Sequence, residues 1–297
     1  MPMAASRRFR CCRAAVAALL GGAALVGCGG TSRHASAAKG RPTFSNARFI
    51  ADNFVSPIAG SNEYLLLRPG LQSVRKGTTL VGHRAVPHIV VSTVTDVIRR
   101  IDGVRAVAVI DQDIDAGQVT QQSVDWRAQD RAGNIWSVGS YTEEYEGGRF
   151  SIRRDAWLAG VDGARPGLMM PVNASPQMPP WTIAQPPHAD PDVAQAVARG
   201  TRQCVAFNCY TNVLTVREGK ASALNNELKY YAPGVGQILN TPMVFSHHKD
   251  VEELVNLIQL TPRGLAEISA EVLKLDRHAR MTARGTYDRS PAARRAP

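Results

Sequence analysis

Four valine- and threonine-rich segments, each cut from the next by a turn, constrain this chain more than any other feature. They read "TTLVGHRAVPHIVVSTVTDVI", "VRAVAVIDQDI", "QVTQQSVDWRAQD" and "NIWSVGSYTEEYE". Between them stand Asp102-Gly103, Asp115-Ala116-Gly117 and Asp130 to Asn134, with Gly147-Gly148 after the last. Strand-forming runs separated at this spacing by turn residues predict an antiparallel meander. In "QSVDWRAQD" the period is two. Val124, Trp126 and Ala128 fall on one face, while Asp125, Arg127 and Gln129 fall on the other. One face is packed and one is wet.

The middle of the chain, Arg165 to Gly200, has a different character. "MMPVNASPQMPPWTIAQPPHADPD" is dense in proline, which cannot donate to a sheet ladder. It predicts an irregular crossing that borders any ligand space, with Met and Trp side chains against a guest. "DPDVAQAVARG" suggests a short helical turn. Strands resume in "QCVAFNCYTNVLTVREG", "ELKYYAPGVGQIL" and "VEELVNLIQLT". In "TPRGLAEISAEVLKLDRHA" a helix is expected. Thr261 caps it, Pro262 suits its first turn, and Leu265, Ile268, Val272 and Leu275 form one stripe. The fold class is therefore mainly β (α+β): a curved antiparallel sheet or half-barrel with a C-terminal helix.

The N-terminus reads as an export signal. Arg7, Arg8, Arg10 and Arg13 precede fourteen small or apolar residues, Ala14 to Gly27. That run is shorter than the ~20 residues a spanning helix needs. Leu25-Val26-Gly27-Cys28 resembles the bacterial lipobox, whose cysteine is acylated and becomes the first residue after cleavage. The resemblance implies lipidation of Cys28. Two acyl chains anchor stably, which places the protein outside the cytoplasm on the membrane's outer face. Residues 1–27 form the signal, 28–42 a flexible tether, 43–280 a single β-rich domain, and 281–297 a disordered basic tail.

Charge bounds the partners. The chain carries 35 Lys plus Arg against 25 Asp plus Glu, a formal +10. Losing the four signal arginines leaves about +6, a mild excess that suits anionic headgroups or a wall polyanion. No basic stripe interleaved with aromatics points to nucleic acid. Cys204 and Cys209, in "QCVAFNCY", are close enough for a disulfide outside the cytoplasm. No second Cys or His pair near them suggests zinc.

Four further motifs carry a family resemblance. "VDWRAQDRAGNIWSVGS", the "EY" before the Gly pair, "AWLAGVDGARPGLMMP" and "KYYAPGVGQI" occur in that order. Together, over roughly Asn62 to Asp276, they resemble a group of secreted actinobacterial lipoproteins without an assigned activity. The common form is Asp-Trp-Tyr-Ala-Gln-Asp, Gly-Asn-Val-Trp and Tyr-Tyr-Ala-Pro-Gly-Val-Gly. This chain departs from it at Arg127, where Tyr is usual, and at Ser137. The strand pattern is similar to half-barrel lipoproteins that carry lipids in bacterial envelopes.

Candidate chemistry is sparse. Asp111, Asp113 and Asp115 stand at a calcium-like i, i+2, i+4 spacing, but Gly117 comes one place late and Gln122 replaces the closing Glu. A strand face explains them better. His83 and His88 straddle Pro87, and His247 and His248 are adjacent, so neither pair suits a metal. No Gly-x-Ser-x-Gly elbow surrounds Ser56, Ser61 or Ser151. Asp125, Asp130 and Asp155 offer carboxylates for glycoside chemistry without a fixed separation. Trp126, Trp136, Trp157 and Tyr145 suit either a sugar platform or a core. No catalytic residue, metal or cofactor follows.

The expected role is a membrane-anchored binding or scaffold protein for a lipid or cell-wall polymer, without catalysis. The alternative is a cell-wall glycan hydrolase or carbohydrate-binding protein. An apolar concavity favours the first, and acidic side chains in a wet cleft favour the second.

Overall fold

Turn chemistry sets the hairpins. At the first turn Asp102 and Gly103 both have positive φ, 45° and 81°, and at another Gly147 and Gly148 have 56° and 74°. Two consecutive left-handed residues make the tight turn whose twist matches the flanking strands. A computed structural model describes residues 48–54, 62–243 and 250–297. The segments expected to be a signal peptide and a tether, with Cys28, and also Ser56, Ser61, His247 and His248, lie outside the described residues. What is described belongs to one unit, Pro42–Pro297.

The strands are β1 (Leu71–Val81), β2 (Arg84–Ile101), β3 (Val104–Asp115), β4 (Gln118–Gln129), β5 (Ile135–Glu146) and β6 (Arg149–Leu158). Then come β7 (Gly167–Met170), β8 (Trp181–Ala184), β9 (Asp192–Cys204), β10 (Cys209–Lys220), β11 (Ala223–Ala232), β12 (Gly236–Pro242) and β13 (Val251–Gln259). Helices α1 (Pro262–Thr282) and α2 (Arg284–Tyr287) and strand β14 (Arg294–Arg295) end the chain. The fourteen strands of the described residues form one antiparallel sheet in the order β6-β5-β4-β3-β2-β1-β13-β12-β11-β10-β9-β8, with β7 added to β5 and β14 to β2. The sheet is curved and does not close into a barrel.

Its two ends nevertheless approach each other. An isolated bridge joins Arg165 to Gln185. A Cβ built on Gly167 would lie 2.3 Å from the carbonyl of Ile183. Only glycine lets β7 lie this close to β8.

The two faces of the meander behave as the period of two requires. On β4, Gln122, Val124, Trp126 and Ala128 are buried. They lie beneath α1, with Val124 in register with Tyr141 of β5. Asp125 and Arg127 point the other way. Gln129, expected to be wet, is buried and donates to the Gly133 carbonyl. Thr261 Oγ1 accepts the Gly264 N–H at 3.2 Å and starts α1. Val272, Leu275 and Ala279 are its buried apolar positions, while Leu265 and Ile268 are partly buried.

Three expectations need correction. "DPDVAQAVARG" is not a helical turn but most of β9, paired with β10 from Asp192↔Lys220 onward. Its alanines favour a helix, but a neighbouring strand with open hydrogen-bonding groups overrides that weak preference. The proline-rich crossing contains β7 and β8, and Trp181 is fully buried in the core. The tail 281–297 is docked rather than free. Tyr287 is buried, β14 pairs with β2, and Arg295 Nη2 reaches Asp96 Oδ2 at 2.6 Å. One aromatic anchor and one carboxylate partner outweigh the tail's solvating composition.

Arg99 pins this region. It is 2% exposed, pairs with Asp276 of α1, and donates from Nη2 to the Tyr287 carbonyl at 2.6 Å. Its guanidinium lies 4.5 Å from the Tyr287 ring centroid. Elsewhere, Cys204 and Cys209 are joined by a disulfide at the β9–β10 turn. That turn leans on β13, where Phe207 N–H donates to the Leu254 carbonyl at 3.1 Å.

Removing one partner of a buried ion pair leaves a charge that water cannot reach. Asp276→Ala is expected to lower the unfolding free energy by about 3 kcal/mol, read from urea denaturation. A loss near zero shows that Arg99 does not hold the helix and tail to the sheet.

Candidate functional site

The face of the sheet opposite α1 encloses the site. Odd-numbered residues of β3 and β4 point into it, because Asp111 is in register with Ser123, and Val109 with Asp125. The row continues across β5 and β6, where Ser123 matches Thr142 and Thr142 matches Asp155. Lys229 of β11 and Glu218 of β10 come from the other half of the sheet.

The enclosed space has three adjoining lobes. The widest, about 500 Å³, is lined by charged and hydroxyl side chains, among them Arg75, Asp113, Asp125, Asp155, Lys229 and Glu252. A lobe of about 190 Å³ shares Arg75, Asp125 and Lys229 with it but adds Leu65, Val109, Met169 and Leu257. A third, about 180 Å³, lies beneath Trp157, Met169, Ile183 and Glu218. The cavity is thus mainly ionic, with one apolar shoulder.

Most of its charges are paired. Arg75 Nε meets Glu252 Oε2 at 2.7 Å. Arg127 Nη2 meets Asp125 Oδ2 at 2.7 Å, which gives the unusual Arg127 a role. Lys229 Nζ sits 2.8 Å from Glu218 Oε2 and 3.1 Å from Glu227 Oε1. Burial pulls the Lys229 ammonium down, but Glu218 and Glu227 overcome it and hold it well above the usual lysine range. Burial raises Glu252 as well, yet the Arg75 guanidinium keeps it below the usual carboxylate range.

The β3 carboxylates are less well compensated. Burial and the Asp125 charge raise Asp111, against Arg75 and the Ser92 hydroxyl that donates to it. Burial and Asp111 push Asp113 up to about 7. Its carboxylate accepts only from Gln121 Nε2, at 3.1 Å, in the bonds described. Partial burial, Asp125 and Asp192 raise Asp155.

The sequence candidates divide clearly. Asp111 and Asp113 line the cavity, and Asp115 instead holds His88 Nδ1 at 2.6 Å. Among the described residues no group of three or more His, Cys, Asp or Glu side chains is arranged to hold a metal ion. Asp125 and Asp155 share the cavity. Asp130 stands outside it as a turn residue, accepting Asn134 N–H and Trp136 Nε1–H at 2.9 Å each. Trp126 and Trp136 are core residues, and Tyr145 bonds Glu143 on the helix side, so no aromatic platform forms. Only Trp157 borders the cavity. In the proline-rich segment Met169 and Ile183 line it, whereas Trp181 does not.

The sequence reading missed Arg75, Glu218, Lys229, Asn240 and Glu252. Their signal was a charged or amide residue inside an otherwise apolar strand, as in "VLTVREG" and "ELKYYA". No protein-family model matches this chain, and neither does any curated protein or solved structure.

Asp113 carries a pH signature. Its folded value, about 7, lies above the ~3.9 of an unfolded aspartate. As pH rises from 4 to 7 the unfolded state sheds this proton first, so stability falls across that window and stays lost above it. Asp113→Asn removes the loss. Its melting temperature is expected to exceed that of wild type by roughly 3–6 °C at pH 8 and to match it at pH 4. Equal melting at both pH values contradicts the raised carboxyl.

Proposed function

We propose that this chain is a lipid-anchored protein of the bacterial envelope whose curved sheet binds a hydroxyl-rich, polar ligand without catalysis. The anchor rests on the lipobox at Cys28, upstream of the described residues. Among the described residues no helix is long and apolar enough to cross a membrane. The ligand reading rests on one observation, the ionic lining of the 500 Å³ lobe. A wholly apolar guest would cover the carboxyls of Asp113 and Asp155 in this lining without supplying hydrogen bonds, which is costly. A polar guest uses them. The apolar shoulder at Leu65, Val109 and Leu257 accepts a methyl or the flat face of a sugar ring. A fragment of cell-envelope glycan fits this chemistry better than a lipid tail.

The acidic lining also favours the hydrolase alternative, because burial raises both Asp113 and Asp155 above ordinary aspartates. A carboxyl that holds its proton suits general-acid work on a glycosidic bond. No nucleophile motif accompanies it, so binding remains the primary reading.

Two measurements test the proposal. Cys28→Ala is expected to move the protein from the membrane fraction to the soluble one. Wild type without acyl mass, together with a variant that stays on the membrane, contradicts the anchor. Native mass spectrometry of protein taken from its own envelope should show a co-purified hydrophilic adduct that Arg127→Ala loses. A pure lipid adduct, or glycan hydrolysis abolished by Asp125→Asn, overturns the reading.

A further inference from the structure

The wide lobe has more acceptors than donors, and one of them is left without a partner. Asn240 of β12 lies opposite Glu252 and on the same face as Lys229. It is 2% exposed, and its Nδ2 donates to Glu252 Oε1 at 3.4 Å. Asn240 borders the lobe, and its buried Oδ1 has no hydrogen-bond partner. A buried amide oxygen seldom goes unpaired in a native protein. This one calls for an N–H or O–H from whatever fills the lobe.

The charge balance points the same way, independently. The cations that reach the lobe are already held. Arg75 on β1 is committed to Glu252, and Lys229 on β11 to Glu218 and Glu227. Arg154 on β6 is held by Glu144, and His88 on β2 by Asp115. On β4, Asp125 already has Arg127. At the rim, Asp250 accepts the Thr79 hydroxyl. Asp111 and Asp113 on β3 accept only neutral donors, from Ser92 and Gln121, in the bonds described. Asp155 on β6 adds a further carboxylate to the lining. A guest with more acceptors would be repelled.

We infer that the wide lobe receives a primary ammonium group carried on the polar ligand, with Asn240 Oδ1 and the Asp111 and Asp113 carboxylates among its acceptors. An ammonium offers three donors and no acceptor, which matches the lining. The inference rests on the polar-ligand reading and narrows it to amine-bearing molecules. Burial and Asp111 raise Asp113 in spite of His88 and Arg75 nearby, and no cation is bonded to its carboxylate in the bonds described. Binding a cation draws the proton off it, so affinity rises with pH until Asp113 is fully ionised.

Titration calorimetry of the full chain tests this with three probes: 2-aminoethyl β-glucoside, its N-acetylated form and methyl β-glucoside. The amine is expected to bind at least about tenfold tighter than either neutral sugar. Its affinity should strengthen from pH 5.5 to 7.5, with net proton release. Asn240→Leu and Asp113→Asn should each weaken it about tenfold, and Asp113→Asn should flatten the pH profile. Circular dichroism melts confirm that the variants are folded. Equal binding of all three probes overturns the amine inference and leaves the polar-ligand reading standing. Binding of none of them, with a neutral glycan still co-purifying from the envelope, also overturns it. An adduct that proves to be pure lipid overturns both.

Discussion

The contact between Gly167 and Ile183 is the constraint on which the cavity depends. A fourteen-stranded ribbon of sheet could lie open, with each face exposed to water. Instead β7 adds to β5, β8 adds to β9, and the two short strands meet where Gly167 has no Cβ. This draws the sheet's distant ends together, so that Asp125 and Arg127 of one half face Lys229 and Glu218 of the other. Without that approach these groups would be solvated surface charges of little energetic weight.

Curvature alone does not keep the interior ionic. The opposite face must be sealed so that core and cavity do not compete for the same side chains. Helix α1 does this over β2 to β5, and the Arg99–Asp276 pair ties helix, tail and sheet into one block. Trp126 and Tyr287 pack beneath it, with Trp126 Nε1–H donating to the Tyr287 hydroxyl at 3.4 Å. The hydrophobic core packs Val272, Leu275 and Ala279 of the helix with Trp126, and it also takes in Leu214, Val216 and Tyr231 on the face that carries Lys229. Beside these apolar residues, charged groups of the cavity pair across strands, as Arg75 does with Glu252 and Lys229 with Glu218.

The comparison of sequence and fold turns on particular residues. The hairpins at Asp102-Gly103 and Gly147-Gly148, the two faces of β4 and the Thr261 cap were legible, because each depends on neighbours a few positions apart. The Ala-rich start of β9 was misread, since only its pairing with β10 makes it a strand. The tail was misread because its anchor, Tyr287, acts through Arg99, 188 residues away. Asp125 and Asp155 were legible as candidates. Asp130 was legible too, as a turn residue, but that Lys229 and Asn240 would join Asp125 and Asp155 was not.

By itself the sequence determined the local geometry: alternating side chains on strands, turns that permit positive φ, and one capped amphipathic helix. It also carried Leu25-Val26-Gly27-Cys28, a short linear motif that resembles a lipobox. The tertiary structure decided which wet faces meet. Arg75 and Glu252 are 177 positions apart, and nothing in either neighbourhood names the other. Coulombic pairing and burial act through space, so the ionic cavity exists only once the sheet has curled and its ends have met.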